Sequence, residues 1–302
     1  MVASPLPMSA TANREDLAAE HFPYFLDRGF NFDHIQQIKA WGVRSVTIAE
    51  SLKLGIKKYD PGTRKHLSDG GIWFPFTATY GQVRFNTPLT LKSGQQFKYL
   101  SPRQPAKAWI PPGAHGFTSV DAITEGWADA AAPTVRGVRT AAIVGTYNVV
   151  YSVDKDCGVP LIYDSDGWMK PQVMRALILG AIWTNGRVNL FPQMEQYPAG
   201  GGCEFFKSGR TIADYQQLIN EAMTPHQLIK KWITFWPQMD AATQTKAISV
   251  AAEAAYWIRN PDQVLRYLEQ CRAEKIPAEV GTSSYHEETH SDFLAQAIEE
   301  QS

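Results

Sequence analysis

Two pairs of carboxylates have the types and spacing that metal-dependent chemistry requires. Glu125 and Asp129 are four residues apart at the start of a predicted helix, and Asp164 and Asp166 alternate directly after a predicted strand. Residues four apart share a helix face, and alternate residues of an extended chain point to the same side. Hard oxygen ligands of this kind suit Mg²⁺ or Mn²⁺. The sequence therefore predicts a divalent-cation site, although such acids can also be helix caps or parts of turns.

The elements around these acids alternate between strands and helices, which is typical of an α/β sheet with parallel pairs. The predicted order is β-α-β-β-α-β, with strands at 121–124, 141–144, 159–163 and 188–191 and helices at 127–135 and 172–183. Ligands of open α/β sheets bind at the carboxyl ends of the strands, so both acidic pairs would meet at one edge. A site of this type performs phosphoryl chemistry by clamping the attacking and leaving oxygens.

The chain as a whole divides into four predicted regions. They are a flexible leader at 1–12, a basic α+β subdomain at 13–118, the α/β domain at 119–222, and a helical C-terminal region at 223–302 that ends in a polar tail from Pro277. Within the second region, Thr47 and Glu50 predict a capping box. The stretches 71–76 and 82–85 predict a hairpin around a Tyr80-Gly81 turn.

Charge is distributed unevenly, although the net charge of the chain is only −1. Residues 41–110 carry 11 basic and 3 acidic side chains, whereas residues 260–302 carry 3 basic and 9 acidic ones. A basic region provides most of the sequence-independent affinity for nucleic acid, with solvated surface charge as the alternative. We therefore expect residues 41–110 to be able to hold a polyanion.

The other composition features indicate a compact protein of the cytoplasm. Its three cysteines match neither a disulfide framework nor a zinc ligand pair, so we expect reduced thiols. The longest apolar runs, such as 176–182, are far shorter than the roughly 20 residues of a membrane helix. We see no basic-then-apolar signal pattern at the N-terminus and expect no membrane association.

The acidic segment resembles the Toprim domain shared by bacterial-type primases, topoisomerases and several nucleases. Residues 125–146, EGWADAAAPTVRGVRTAAIVGT, are similar to the primase segment that runs from its catalytic glutamate through a helix to a strand ending in Gly-Thr, and YDSDG supplies the Asp-x-Asp. The stretches GIWFPFTATYGQVRF and FKYLSPRQPAKAWIPPG resemble the subdomain that precedes Toprim in primases. The likeness covers about residues 20–220, and Toprim relatives in replication proteins of plasmids and phages match equally well.

The resemblance implies a role for each matching acid. Glu125 would be the general acid/base, Asp164 and Asp166 the metal ligands, and Asp129 an auxiliary ligand. Primases usually carry a further acidic motif, for which GRTIADY offers only Asp214, and that residue could equally be a helix cap.

The resemblance also implies contacts with nucleic acid. Lys98 and Arg84 would face template or nucleotide phosphate, and Arg103 belongs to the same basic segment. Solvated surface charge is the alternative for all of them. Three tryptophans flank the proposed site and, unless they belong to the core, could stack bases: Trp127, Trp168 and Trp183.

These features together predict a Mg²⁺- or Mn²⁺-dependent Toprim enzyme, most like a primase core that uses single-stranded DNA and nucleoside triphosphates in plasmid or phage replication. The alternatives are a Toprim nuclease and a catalytically inactive DNA-binding replication-accessory protein, which the incomplete third motif favours. The sequence holds no zinc-ribbon spacing and no G-x-x-x-x-G-K-[ST] loop. We therefore expect priming to need a partner such as a replicative helicase or a replication initiator.

Overall fold

The computed structural model describes residues 16–56, 70–90, 96–102 and 104–274. Three sequence predictions concern residues outside these ranges, namely the leader at 1–12, the phosphate contact of Arg103 and the polar tail from Pro277.

Three short helices occupy the first part of the described chain. They are α1 (Phe22–Leu26), α2 (Phe32–Ala40) and α3 (Ile48–Lys53). The Glu50 N–H donates to the Thr47 hydroxyl and the Thr47 N–H donates to the Glu50 carboxylate, so the predicted capping box is confirmed. Ile35 and Ile38 are fully buried on α2, and this apolar face packs in a cluster with Phe74.

An antiparallel sheet has its strands in chain order. They are β1 (Arg44–Val46), β2 (Gly71–Pro75), β3 (Gly81–Thr90) and β4 (Gln96–Leu100). The predicted hairpin is confirmed as β2 and β3, and the Phe76 and Thr77 N–H groups close its turn by donating to the Tyr80 carbonyl. The sequence did not predict β1, because three residues are too few to show an alternating pattern.

The second sheet is parallel throughout and has the order β6-β5-β7-β8. Its strands are β5 (Ala122–Thr124), β6 (Thr140–Ala142), β7 (Leu161–Tyr163) and β8 (Val188–Leu190). Every residue of these strands is buried, as expected of a parallel sheet that is covered on both faces. The predicted α/β sheet with parallel pairs is therefore confirmed, although each strand is one or two residues shorter than predicted.

Five helices accompany this sheet. They are α4 (Trp127–Thr134), α5 (Val149–Ser152), α6 (Pro171–Thr184), α7 (Gly202–Lys207) and α8 (Ile212–Asn220). The helices α4 and α6 match the predicted ones to within one residue at each end. The sequence did not predict α5 and α7, because a helix of one or two turns contains too few residues to show a helical period.

The C-terminal part is helical, as predicted. It comprises α9 (Pro225–Ile233), α10 (Ala241–Arg259) and α11 (Pro261–Ala273). Trp232 of α9 and Trp257 of α10 are buried in the same hydrophobic cluster as Leu161 of β7, so these helices share a core with the parallel sheet. In the part of the chain that the structure describes, we find no helix with the length and apolar character needed to cross a membrane.

The antiparallel sheet packs against α4. The ring centroids of Phe74 on β2 and Trp127 on α4 are 4.6 Å apart, and Ala130 and Ala131 are fully buried in the same cluster. The small alanine side chains allow this close approach of the helix to the sheet. As a result, one face of the antiparallel sheet lies beside the helix that follows Glu125.

Candidate functional site

Glu125 and Asp164 leave the parallel sheet at the same edge. The strands β5 and β7 are parallel neighbours, with Ile123 paired to Leu161. Each acid is the first residue after its strand, at the carboxyl end. The topology therefore brings these two side chains together, as the sequence predicted from the strand order.

Asp164 lies at the centre of a group of carboxylates. Burial, and then the charges of Asp129, Glu125, Asp166 and Glu204, raise the pKa of Asp164 well above its usual range. We call these five residues the acidic cluster. Within the described chain, Oδ1 of Asp164 is buried and has no hydrogen-bond partner. A buried, unpaired carboxylate is unfavourable unless a proton or a cation neutralises it.

The pKa of Glu125 is raised to near neutrality. Burial, followed by the charge of Asp129, raises its pKa to about 7, and the ammonium of Lys170 acts in the opposite direction. The residue is half-buried, so solvent still reaches it. At neutral pH its carboxyl group is therefore divided between the protonated and the ionised form.

Asp129 is held by the start of α7. Its Oδ1 accepts a hydrogen bond of 3.2 Å from the Cys203 N–H. Burial raises the pKa of Asp129, whereas this bond lowers it. The side chain, which is in the first turn of α4, thus joins the two helices next to Asp164.

Gly201 makes the close approach of these two acids possible. A Cβ atom on Gly201 would lie 2.4 Å from Oδ1 of Asp164 and 2.7 Å from Oδ1 of Asp129. The two oxygens are therefore separated by no more than the sum of these distances, with no side chain between them. The sequence predicted a Gly/Pro-rich loop here but gave no sign that it closes over the acids.

Glu204 is a member of the acidic cluster that the sequence reasoning missed. Its carboxylate accepts a hydrogen bond of 3.2 Å from the Gly201 N–H, and its charge raises the pKa of both Asp129 and Asp164. A glycine followed three residues later by a glutamate is a weak capping signal that could have located the start of α7. Nothing local indicated that the helix lies beside Asp164.

Asp166 does not share an extended strand with Asp164, so the predicted alternation is wrong. The chain turns into a 3₁₀ helix over Ser165–Met169, and the Gly167 N–H donates to the Asp164 carbonyl at 3.0 Å. Asp166 instead forms an ion pair of 2.5 Å with Lys170. Its charge still raises the pKa of Glu125 and Asp164.

The carboxylates are not arranged around one point. Among the described residues, no three His, Cys, Asp or Glu side chains form a group that could hold a metal ion. A divalent cation nevertheless fits the donor set, because the acidic cluster offers only hard oxygens, Oδ1 of Asp164 has no partner, and Gly201 leaves space beside it. Asp166 would have to leave Lys170 in order to join such a site.

Arg84 and Lys98 lie on opposite faces of the antiparallel sheet. Arg84 pairs with Tyr99, and side chains alternate along β4, so Lys98 points to the other side. The guanidinium of Arg84 lies 4.5 Å from the centroid of the Tyr24 ring, and its buried Nε has no partner among the described residues. Lys98 is exposed. One bound ligand on a single face therefore cannot contact both side chains.

Arg28 is a basic residue near the acidic cluster that the sequence did not indicate. Its guanidinium lies 3.9 Å from the centroid of the same Tyr24 ring and donates to the Tyr24 carbonyl at 3.2 Å. Its charge lowers the pKa of Asp129. Arg28, Tyr24 and Arg84 thus form a basic and aromatic group beside the acidic cluster.

The three tryptophans considered for base stacking are buried. Trp127, Trp168 and Trp183 are 3%, 3% and 2% exposed. Trp168 stacks on Phe235, two residues after α9, with a centroid distance of 4.6 Å, and Trp183 donates to the Val153 carbonyl. Stacking on bases is therefore wrong for all three, because their rings are covered by the protein. Trp127 packs on Phe74 of the antiparallel sheet, and Trp168 and Trp183 lie in the cluster around the parallel sheet.

Asp214 caps a helix. It forms a capping box with Thr211 at the start of α8, and hydrogen bonds from the N–H and hydroxyl of Thr211 lower its pKa. A lowered pKa is the opposite of what we find in the acidic cluster. Asp214 does not belong to that cluster.

Comparison with known proteins gives no match to this chain. A scan against protein-family models found none, and searches of the curated proteins and of the solved structures found no similar protein.

Proposed function

We propose that this protein is a divalent-cation-dependent nucleic-acid enzyme of the Toprim type, most similar to a primase core that joins nucleotides on single-stranded DNA. The observation that supports this best is the acidic cluster. Carboxylates from two neighbouring parallel strands and the helices beside them lie at the carboxyl edge of the sheet, and Oδ1 of Asp164 has no partner in the described chain. Ligand sites of α/β proteins lie at this edge.

In the proposed reaction Glu125 takes up the proton. The 3′-hydroxyl oxygen of the growing strand bonds to the α-phosphorus of a nucleoside triphosphate, the bond from that phosphorus to the bridging oxygen breaks, and pyrophosphate leaves. The hydroxyl proton passes to the Glu125 carboxylate. A general base is most effective when its pKa is close to the working pH, and a pKa of about 7 meets that condition.

The other members of the cluster would hold the cation. Bound Mg²⁺ or Mn²⁺ supplies charge stabilisation for the attacking and leaving oxygens. Asp164 and Asp166 would be its ligands and Asp129 an auxiliary one, with Gly201 keeping the space beside Asp164 free. Arg84 and Arg28 would bind phosphates of the template next to the cluster, and a replicative helicase or initiator would deliver that template.

One observation favours a second candidate, a catalytically inactive DNA-binding accessory protein. The ion pair between Lys170 and Asp166 neutralises one of the proposed ligands without any metal. In this alternative the acidic cluster has no catalytic role, and DNA binding by basic residues of the antiparallel sheet and its surroundings, such as Arg84 and Arg28, is the whole function.

A single assay separates these candidates. The protein is incubated with single-stranded DNA, labelled ribonucleotides or deoxyribonucleotides, and Mg²⁺ or Mn²⁺, and the products are resolved on a gel. Extended products support primase-like synthesis, shortened DNA supports a nuclease that uses water as the nucleophile, and unchanged DNA with retained binding supports the accessory protein.

Matched variants connect the result to the cluster. Glu125→Gln and Asp164→Asn should abolish either reaction while salt-sensitive DNA binding persists. Asp214→Asn removes a carboxylate that only caps α8 and should leave activity unchanged. Full activity of both Glu125→Gln and Asp164→Asn would overturn the assignment of the site.

A further inference from the structure

Lys170 is placed to act as a counter-ion of the acidic cluster. Its backbone precedes α6, where its carbonyl accepts hydrogen bonds from the Val173 and Met174 N–H groups. Its ammonium lies 2.5 Å from Oδ2 of Asp166, and the same charge lowers the pKa of Glu125. One ammonium therefore acts on two of the proposed site residues.

The position of this ammonium conflicts with that of a bound divalent cation. Asp166 offers two oxygens, but two cations beside one carboxylate repel each other, so the ammonium opposes the binding of a divalent cation there. The backbone of Lys170 is fixed by α6, whereas its side chain is 46% exposed and ends in a flexible four-carbon stem. The side chain can therefore leave Asp166 without any change in the fold.

Arg28, whose charge also acts on the cluster, lacks this freedom. Arg28 donates to the Tyr24 carbonyl and lies against the Tyr24 ring, which holds its guanidinium in place. Lys170 makes a single ion pair with a partner that is itself partly exposed. Of these two cations, Lys170 is the one that can exchange its partner.

We propose that Lys170 is a displaceable counter-ion: it neutralises Asp166 until a divalent cation binds, and it then moves to a phosphate of the nucleotide or DNA. This inference rests on the proposed cation-dependent function and adds a phosphate-binding residue to it. No bond is made or broken in the exchange. The displaced ammonium stays beside the cluster, where the phosphate of a cation-bound substrate must lie.

Competitive labelling with acetic anhydride and mass spectrometry can follow the exchange in the full-length protein. An amine that is released from its carboxylate partner is more accessible to the reagent, so we expect Mn²⁺ to increase the labelling of Lys170. Addition of single-stranded DNA with ATP should then decrease it. Lys155, which pairs with Glu269 at 2.6 Å, is the matched control and should not respond. Unchanged reactivity of Lys170 on Mn²⁺ binding would overturn the proposal.

A second measurement uses Lys170→Met and Mn²⁺ titration followed by electron paramagnetic resonance. Removal of the competing ammonium should tighten Mn²⁺ binding about fivefold, the effect of one partly exposed ion pair. DNA affinity should fall when Mn²⁺ is present and stay unchanged in chelator, and Lys170→Arg should restore it. Lys155→Met should change neither quantity.

The titration also distinguishes the two proposals from each other. If Mn²⁺ binding depends on Asp164 but is the same in Lys170→Met and in the wild-type protein, only the role of Lys170 is contradicted. Absence of Mn²⁺ uptake by the unmodified protein would contradict the proposed function, and the role of Lys170 with it.

Discussion

At the scale of single residues, the acidic cluster depends on the absence of a side chain at Gly201. Its φ of −104° is accessible to any residue, so a substitution there causes no backbone strain. Its effect reports only the contact between the new side chain and the neighbouring atoms. A methyl group would collide with Oδ1 of Asp164 and Oδ1 of Asp129. A glycine is therefore needed at this position so that the two carboxylates can lie close together, and not for the backbone conformation at the start of α7.

We therefore expect Gly201→Ala to lower the free energy of unfolding by about 1–3 kcal/mol, the usual cost of overpacking. Mn²⁺ binding should be lost in the same variant, because the two acids are pushed apart. The loss of stability should be smaller in an Asp164→Ala background, where one of the colliding oxygens is missing. Chemical denaturation of the four proteins of this double-mutant cycle measures the coupling. Equal losses in both backgrounds would mean that Asp164 is not the neighbour that matters.

The protonation of Glu125 gives a second prediction at this scale. Its pKa is about 7 in the folded protein and lies near the ordinary value of 4.5 when the chain is unfolded. The folded state therefore binds this proton more tightly, and stability is highest below the unfolded pKa and decreases as the pH rises through the folded one. Asp129 and Asp164 act in the same direction.

In the presence of a chelator, we expect the melting temperature to decrease between about pH 5 and about pH 8. Glu125→Gln should reduce this decrease, because the amide does not ionise, and added Mn²⁺ should reduce it by neutralising the cluster. Calorimetry across this range checks both effects. A melting temperature that rises over the same interval would contradict the raised pKa values.

At the scale of elements, the site is built by the short segments that follow the strands. The turn Ser165–Met169 directs Asp166 to Lys170, and α7 brings Gly201, Glu204 and the Cys203 N–H next to the two strands. These segments position the carboxylates, whereas the long helix α6 supplies the core beneath them. The helix α8 follows α7 but contributes no carboxylate to the cluster.

Thr211→Ala tests whether α8, unlike α7, is independent of the acidic cluster. Thr211 accepts a hydrogen bond from the Asp214 N–H at the start of α8, and loss of such a cap costs about 1 kcal/mol. We expect the midpoint of urea denaturation to decrease accordingly while the affinity for Mn²⁺ stays unchanged. Weaker Mn²⁺ binding in this variant would indicate that Asp214 contributes to the cation site, as the further acidic motif of primases would.

The sequence predicted the longer elements well and the site only in part. Helical periods over 127–135 and 172–183 and the apolar runs of the strands carry clear patterns, and strand order alone placed Glu125 near Asp164. The turn after Asp164 could not be predicted, because Asp-x-Asp-Gly is compatible with both an extended chain and a 3₁₀ helix. Glu204 and Arg28 reach the site only through tertiary packing, which no local pattern encodes.

At the scale of the whole molecule, two sheets of different kind meet at α4. The antiparallel sheet covers one side of this helix through Phe74, and the acidic cluster begins at its N-terminal end. Arg28 and Arg84 hold the Tyr24 ring on the face of the antiparallel sheet that packs on α4. A phosphate bound by Arg28 or Arg84 on this side of the sheet would lie beside the acidic cluster, whereas one bound by Lys98 on the opposite face would not.

This arrangement predicts different effects for two basic residues that the sequence treats alike. Arg84→Ala should weaken binding of single-stranded DNA and reduce the slope of log affinity against log salt by about 0.7, the contribution of one phosphate contact. Lys98→Ala should have a smaller effect, because Lys98 points away from α4. Fluorescence anisotropy over a range of salt concentrations measures both slopes, with Lys155→Ala as a control far from the antiparallel sheet. If Lys98→Ala caused the larger loss, the DNA would lie on the opposite face of the sheet, and the acidic cluster could not act on it.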